Sequence, residues 1–266
     1  MPSFKIESRH LNDLALDKNT STYDFLRELC LRRFSELKLN KINNKEVYIE
    51  RIKYELQILQ ELNFVDYILL VWKVVIYCRE NDIPLGLGRG SAAGSMVLYL
   101  LQITQIDPVK YDLFFERFVS KARAKKSTVD GVTYLDGALM CDVDIDVCYY
   151  RRAEVLRYLE NEFKGSTSKI LTLNTLSGKL CMKECGKVVG GKEESEMNTV
   201  SSLIPKVFGQ VKDIKEAYDE VPQFADWCDT NPKVYNIALK LRNLVKNKGV
   251  HPSGILLSYG KMIESC

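Results

Sequence analysis

The densest chemistry in the sequence is an alternating run of carboxylates, Asp142-x-Asp144-x-Asp146, with Val143, Ile145 and Val147 set between them. Along an extended strand successive side chains point to opposite faces. The three acids then share one face, and the aliphatic residues share the other, against a core. Like charges this close repel unless a cation sits among them. Hard oxygen donors suit Mg²⁺, which keeps waters and phosphate oxygens in its remaining positions. Phosphoryl and nucleotidyl transfer employ two such ions. An EF-hand also begins Asp-x-Asp-x-Asp, but it needs glycine sixth and glutamate twelfth, where this sequence has Val147 and Ala153. A solvated acidic edge strand is the alternative that stays open.

The second cluster is Gly86-Leu87-Gly88-Arg89-Gly90-Ser91. Gly88-x-Gly90-x-x-Ala93 fits a dinucleotide fingerprint, which is weak by itself. A proline turn precedes it and no strand–helix alternation follows, so a doubly wound fold is not supported. The Gly-Lys-Ser/Thr ending of a phosphate-binding P-loop is absent. Glycines still let the backbone approach a phosphate, and Ser91 offers a hydroxyl and an amide. Arg89 adds a charged fork. The alternative is a tight turn into a buried helix.

These groups need elements to position them. Ile49, Ile52, Leu56 and Leu59 recur at helical steps, predicting a helix over residues 46–62. A more buried helix is expected over 66–80, ended by Asn81-Asp82-Ile83-Pro84. The apolar stretch 92–103 reads as a helix capped by Ser91. Residues 151–163 are again amphipathic. Asn231-Pro232 starts a helix expected to run to Lys248 and stop at Gly249. Ile255-Leu256-Leu257-Ser258 is a short strand candidate.

Basic residues cluster in two places. Arg117, Lys121, Arg123, Lys125 and Lys126 follow one another with no acid between Arg117 and Val129, ahead of a connector with Gly131 and Gly137. Residues 164–192 hold six lysines and one acid, Glu184. Lys179, Lys183 and Lys187 fall on one helical face. The 266 residues are 46% hydrophobic and 27% charged, with net charge +3, an ordinary globular balance. Eight scattered cysteines form no Cys-x-x-Cys pair, and only His10 and His251 supply imidazole, which argues against structural zinc and for reduced thiols. The amino terminus has no signal core, and the longest apolar run, residues 64–78, carries Asp66 and Lys73. A soluble, cytoplasmic protein without a membrane partner is expected.

Gly88-Arg89-Gly90-Ser91-Ala92-Ala93-Gly94-Ser95, then Ile103-Thr104-Gln105-Ile106-Asp107-Pro108, then Leu113-Phe114-Phe115-Glu116-Arg117-Phe118, then Asp142-Val143-Asp144-Ile145-Asp146 form one ordered series. It closely resembles the C-family of replicative DNA polymerases, the catalytic alpha subunits of bacterial DNA polymerase III. Tyr54-Glu55-Leu56, residues 81–87, Lys169-Ile170-Leu171-Thr172, residues 179–190 and His251-Pro252-Ser253-Gly254 extend the likeness over roughly residues 23–258.

The resemblance implies an α+β chain. It would hold a polymerase-beta-like nucleotidyltransferase palm, a mixed sheet with flanking helices, over 1–172. A mainly helical thumb would follow over 173–248, and 249–266 would begin a return to the palm. Asp142 and Asp144 match the family's metal-binding pair for two Mg²⁺. Arg89, Gly90, Ser91 and Arg117 match the triphosphate site. Asp146 falls on an acidic position outside the principal ligands. Lys179, Lys183, Lys187 and Lys246 would grip primer–template DNA through its phosphates, and His251 would lie in the palm return.

Cys141 stands where the family has proline, and the connector over 121–140 is longer. The implied reaction is template-directed transfer of a dNTP to a primer 3′-hydroxyl. The third catalytic aspartate and the fingers are expected on a missing downstream segment or a second polypeptide, leaving this chain alone weak or inactive; the family's histidine-rich amino-terminal metal domain is expected to be absent, in keeping with the two histidines. Two other readings are a non-catalytic DNA-gripping part of a split polymerase and a stand-alone template-free nucleotidyltransferase.

Overall fold

The computed structural model describes residues 3–121, 126–129, 132–135, 141–207 and 210–258. Arg123 and Lys125 of the basic tract, Gly131 and Gly137 of the connector, and residues 259–266 lie outside the described residues. The chain divides into two compact units, one of Met1–Ser168 with Leu257–Cys266 and one of Lys169–Leu256.

The first unit opens with a short helix, α1 (Ser8–Asp13), and then α2 (Thr22–Glu36), whose start is capped by the Ser21 hydroxyl accepting the Asp24 N–H. Two long helices follow, α3 (Lys45–Glu61) and α4 (Val65–Glu80). Their apolar stripes meet α2 and a short helix, α5 (Met96–Leu100), in one core. Phe25, Leu26, Leu59, Ile68, Leu69, Met96, Leu98 and Phe115 are among its fully buried side chains. Each such burial contributes about 1.5–3 kcal/mol against exposure. Helix α4 ends where Asp82 takes the left-handed conformation, φ +51°, and the Ile83 N–H closes on the Cys78 carbonyl at 2.7 Å.

A hairpin of β1 (Lys126–Val129) and β2 (Val132–Leu135) pairs antiparallel, with Lys126 opposite Leu135. Helix α6 (Arg152–Glu162) then packs on α4. The Lys73 ammonium sits between the Glu7 and Glu162 carboxylates, and the Tyr77 and Tyr158 rings stack 3.8 Å apart.

The second unit carries most of β3 (Thr167–Thr175), then α7 (Gly178–Val188), α8 (Glu194–Ser202) and the short antiparallel pair β4 (Lys206–Val207) and β5 (Gln210–Val211). Helices α9 (Ile214–Glu220), α10 (Pro222–Thr230) and α11 (Pro232–Leu241) complete its helical part. Helix α7 packs on α8 and α11 around Cys181, Met182, Met197, Phe224 and Ala238. The chain returns on β6 (Val245–Leu257), paired with β3.

The whole is α+β, with several expectations altered in detail. The first concerns sheet: among the described residues every sheet has two strands, and no mixed sheet forms. The second is the 92–103 helix, which breaks into a 3₁₀ turn over Gly90–Gly94 and then α5, because Ser95 rather than Ser91 caps it and accepts the Leu98 N–H. The third is the helix from Pro232, which stops at Leu241. Asn243 takes φ +64° and its N–H bonds the Leu176 carbonyl, while Leu244 accepts the Leu176 N–H in return. Pairing with the chain beside β3 therefore overrides the helical run. Asn231 does not cap α11 through its side chain; its amide donates to the Trp227 carbonyl at 2.9 Å instead. No described helix is long and apolar enough to cross a membrane, and all seven described cysteines are free thiols.

His10 lies edge-on to Trp72 at 5.0 Å, and burial, aided by the Arg9 charge, lowers its pKa below the usual 6.5. The neutral ring is thus the form the fold favours. The stability it contributes is present above pH 6.5 and lost as pH falls through the folded value. A urea midpoint that drops between about pH 7.5 and about pH 5.5, with a flatter profile in His10→Phe, is the expected outcome. An unchanged slope in the variant would refute the assignment.

Candidate functional site

The glycine loop and the carboxylate segment are joined by their backbones. Leu85 and Val147 form an antiparallel bridge, flanked by Gly86 N–H to the Asp146 carbonyl at 2.8 Å and Cys148 N–H to the Pro84 carbonyl at 3.0 Å. On the far side of the loop, the Leu87 carbonyl accepts the Gln105 N–H at 2.8 Å. Two glycines make this fit possible. A Cβ on Gly86 would lie 2.8 Å from the Asp146 Cβ. Gly88 sits at φ +94°, with Thr104 Cγ2 2.8 Å from where its Cβ would be.

Among the described residues the acidic segment is not a ladder strand, since its pairing there is limited to that one bridge. The Val143 N–H is taken by the Tyr67 hydroxyl at 3.3 Å, so a side chain stands where a neighbouring strand would. Burial pushes the Tyr67 hydroxyl up to about 12, assisted by the neighbouring Cys141, Asp142 and Asp144. The expected alternation nonetheless holds. Asp142, Asp144 and Asp146 are exposed, while Val143 and Ile145 pack against the core. Cys141, in the place of the family's proline, is buried with its thiol pushed up to about 12 by that burial. Beyond the acids, the Arg151 guanidinium bonds the Asn81 and Asp82 carbonyls at 2.8 and 3.1 Å, tying the start of α6 to the turn that precedes the loop.

The loop's other end is held by a buried charge. Glu55 of α3 has no solvent exposure. Its carboxylate accepts the Met96 and Val97 N–H groups at 2.9 and 3.0 Å, the Ser95 hydroxyl at 2.7 Å and the Arg51 Nε at 2.6 Å. Burial raises its pKa, and these four donors pull it back toward the ionised form. Arg51 also donates to the carbonyls of Gly94 and Leu113, at 2.8 and 2.9 Å. Tyr54 donates to Glu116 and Tyr48 to Asp107, at 2.8 and 2.9 Å. One helix therefore fixes every motif segment between residues 94 and 116. Glu55 was open to detection as a charge between Ile52 and Leu59 on an apolar stripe. Arg51 and Tyr67 carried no comparable signal.

Arg89 reaches across to the carboxylates. Its Nη1 lies 3.3 Å from Asp144 Oδ2 and its Nε 3.2 Å from Asp146 Oδ1, all three side chains being more than half exposed. Gly90 and half-buried Ser91 open the 3₁₀ turn, which packs against a second turn, Phe115–Arg117, carrying exposed Arg117. The triphosphate candidates thus lie on adjoining segments. The donor chemistry, exposed carboxylate oxygens on one face, fits a hard divalent cation. Among the described residues no three acidic, cysteine or histidine side chains gather closely enough to hold a metal. Instead, Arg89 supplies the positive charge between Asp144 and Asp146.

The matched family is described as "Bacterial DNA polymerase III alpha NTPase domain", over residues 24–266. The chain belongs to this family. It is 33% identical over 222 residues to the DNA polymerase III subunit alpha of Staphylococcus aureus (strain MRSA252), covering 83% of this chain and 19% of that protein. Against the Bacillus subtilis (strain 168) protein of the same name, identity is 33% over 243 residues, or 90% of this chain and 20% of that protein. The chain spans about a fifth of the length of these relatives.

The lysines expected on DNA lie in the second unit. Lys179, Lys183 and Lys187 are half-buried on the side of α7 away from Cys181, Met182 and Cys185, and Lys187 pairs with Glu184 at 3.5 Å. Desolvation and nearby Lys206 lower the pKa of Lys179. Lys246 is exposed on β6. His251, on the same strand, has its Nδ1 accepting the Gly254 and Ser253 N–H groups at 2.6 and 3.2 Å.

Replacing Glu55 by Ala strands four donors in the core, and urea unfolding is expected to lose about 3–5 kcal/mol. Gly88→Ala meets both the left-handed backbone and Thr104, at about 1–3 kcal/mol. A Gly88→Ala protein with the parental midpoint would show that Thr104 does not hold the loop.

Proposed function

We propose that the chain is the nucleotide- and metal-binding part of a replicative DNA polymerase. Residues 1–172 form the palm, 173–248 the thumb and 249–266 the start of the palm return. Gly90 offers its amide to the triphosphate, and Ser91 its hydroxyl and amide. Arg89 and Arg117 supply the charged forks that a polyphosphate attracts. Asp142 and Asp144 would hold Mg²⁺, which when bound supplies the charge that activates a primer 3′-hydroxyl and stabilises the leaving pyrophosphate. Lys179, Lys183, Lys187 and Lys246 contact DNA phosphates, which suits a grip indifferent to sequence.

The observation that carries this reading is the bridge between Leu85 and Val147. It binds the loop suited to phosphates directly to the segment bearing the carboxylates, in a chain of this family. The relatives are about five times longer than the matched stretch. A third catalytic carboxylate and the fingers are therefore proposed to come from further polypeptide. That proportion also favours a second reading, in which the chain contributes DNA grip and part of the metal site to a partner and turns nothing over alone.

Two assays test these statements. With Mg²⁺, dNTPs and a primed template, the purified chain is expected to give no extension; extension that Asp142→Ala abolishes would overturn the proposed incompleteness. In fluorescence anisotropy, binding to primed duplex is expected to weaken steeply between about 50 and about 200 mM salt. Replacing Lys179, Lys183 and Lys187 by Ala should reduce the log–log salt slope by about three. An unaltered slope would remove α7 from the DNA interface.

A further inference from the structure

The Asp146 side chain fills the space left by the missing side chain of Gly86, and its carbonyl accepts the Gly86 N–H at 2.8 Å. So placed, its carboxylate meets the Arg89 Nε at 3.2 Å while the Nη1 of the same guanidinium meets Asp144 at 3.3 Å. Arginine stays charged at any pH the protein meets, and its planar fork lets one side chain bridge two carboxylates. Arg89 stands between two glycines with left-handed backbones, Gly88 at φ +94° and Gly90 at φ +66°. No atom lies within 4 Å of where a Gly90 Cβ would be. The fork is thus held by its partners rather than by its own backbone.

We propose that Asp146 is a positioning residue that parks Arg89 across Asp144, so that Arg89 and a divalent cation compete for the Asp144 carboxylate. Cation binding then releases the guanidinium, next to the Gly90–Ser91 turn, for the phosphates of the nucleotide. This rests on the reading of Asp142 and Asp144 as metal ligands. Its physical basis is that a monovalent, spread charge suffices to hold two exposed carboxylates in the absence of metal. A divalent ion, with twice the charge at a point, outcompetes it for the same oxygens. Asp146 would therefore decide where Arg89 rests without itself binding the metal.

The test is Mn²⁺ binding to the full 266-residue chain, by titration calorimetry or by the paramagnetic resonance of free Mn²⁺. Four proteins are compared: the parent, Arg89→Ala, Asp146→Asn and the double variant. All of the substituted side chains are exposed, and thermal melts confirm folding. Arg89→Ala is expected to tighten Mn²⁺ binding about threefold, the scale of an exposed ion pair. The gain should be clearly smaller when Asp146 is already Asn, because Arg89 then no longer rests over Asp144. Equal gains in both backgrounds would reduce Arg89 to a distant charge and overturn the positioning role of Asp146. Unchanged or weaker binding by Arg89→Ala in the parental background would overturn the competition itself. If the four proteins bind no Mn²⁺, the metal-ligand reading of Asp142 and Asp144 falls, and the competition falls with it.

Discussion

A carboxylate with no solvent exposure, Glu55, is the constraint on which the first unit turns. Removing an isolated charge from water costs several kcal/mol even after relaxation. The structure meets that cost with four donors, two of them the first N–H groups of α5. Those N–H groups would otherwise be unpartnered at a buried helix start. The acid and the helix start each need the other, so α3 and α5 are locked in register. Arg51 carries the same constraint onward, because the guanidinium that pairs with Glu55 also bonds the carbonyls of Gly94 and Leu113. The end of the glycine loop and the turn bearing Arg117 are in this way fixed by one side chain.

The opposite end of the loop is governed by backbone pairing, and the two devices leave different freedoms. From Pro84 to Leu87 the chain is clasped on one side by residues 146–148 and on the other by Gln105. From Gly94 onward it is held by Arg51 and Glu55. Between these anchors, residues 88–91 carry two left-handed glycines and a side chain, Arg89, whose partners are exposed. The loop thus combines fixed ends with a middle whose backbone is permissive.

Much of this was legible in the sequence, and the gaps have physical causes. The helices α3, α4 and α6 follow from their apolar residues to within a residue or so, because those residues are the ones the folded unit buries. The alternation of Asp142 to Val147 was equally plain, since exposure there follows residue type. What sequence could not show is which group answers a given N–H. Ser91 and Ser95 are equally good caps in isolation, and Glu55 on another helix decides between them. Residues 242–248 continue a helical pattern, yet pairing of Asn243 and Leu244 with Leu176 ends it. The acidic segment lacks a ladder because the Tyr67 hydroxyl occupies its N–H. In each case a contact distant in sequence outweighs a local preference of a few tenths to about 1 kcal/mol.

The acids of the site and the acid of the core mark opposite uses of the same functional group. Glu55 is surrounded by donors fixed in the fold. Asp142, Asp144 and Asp146 project from a segment whose aliphatic side is packed, so they cannot turn away from one another into the interior. Among the described residues the cation set against Asp144 and Asp146 is Arg89, bound by exposed pairs of the kind worth under about 1 kcal/mol. Three carboxylates within five residues, held on one face, repel one another. Glu55, Arg51 and Tyr67 hold the segments on which this charge pattern stands.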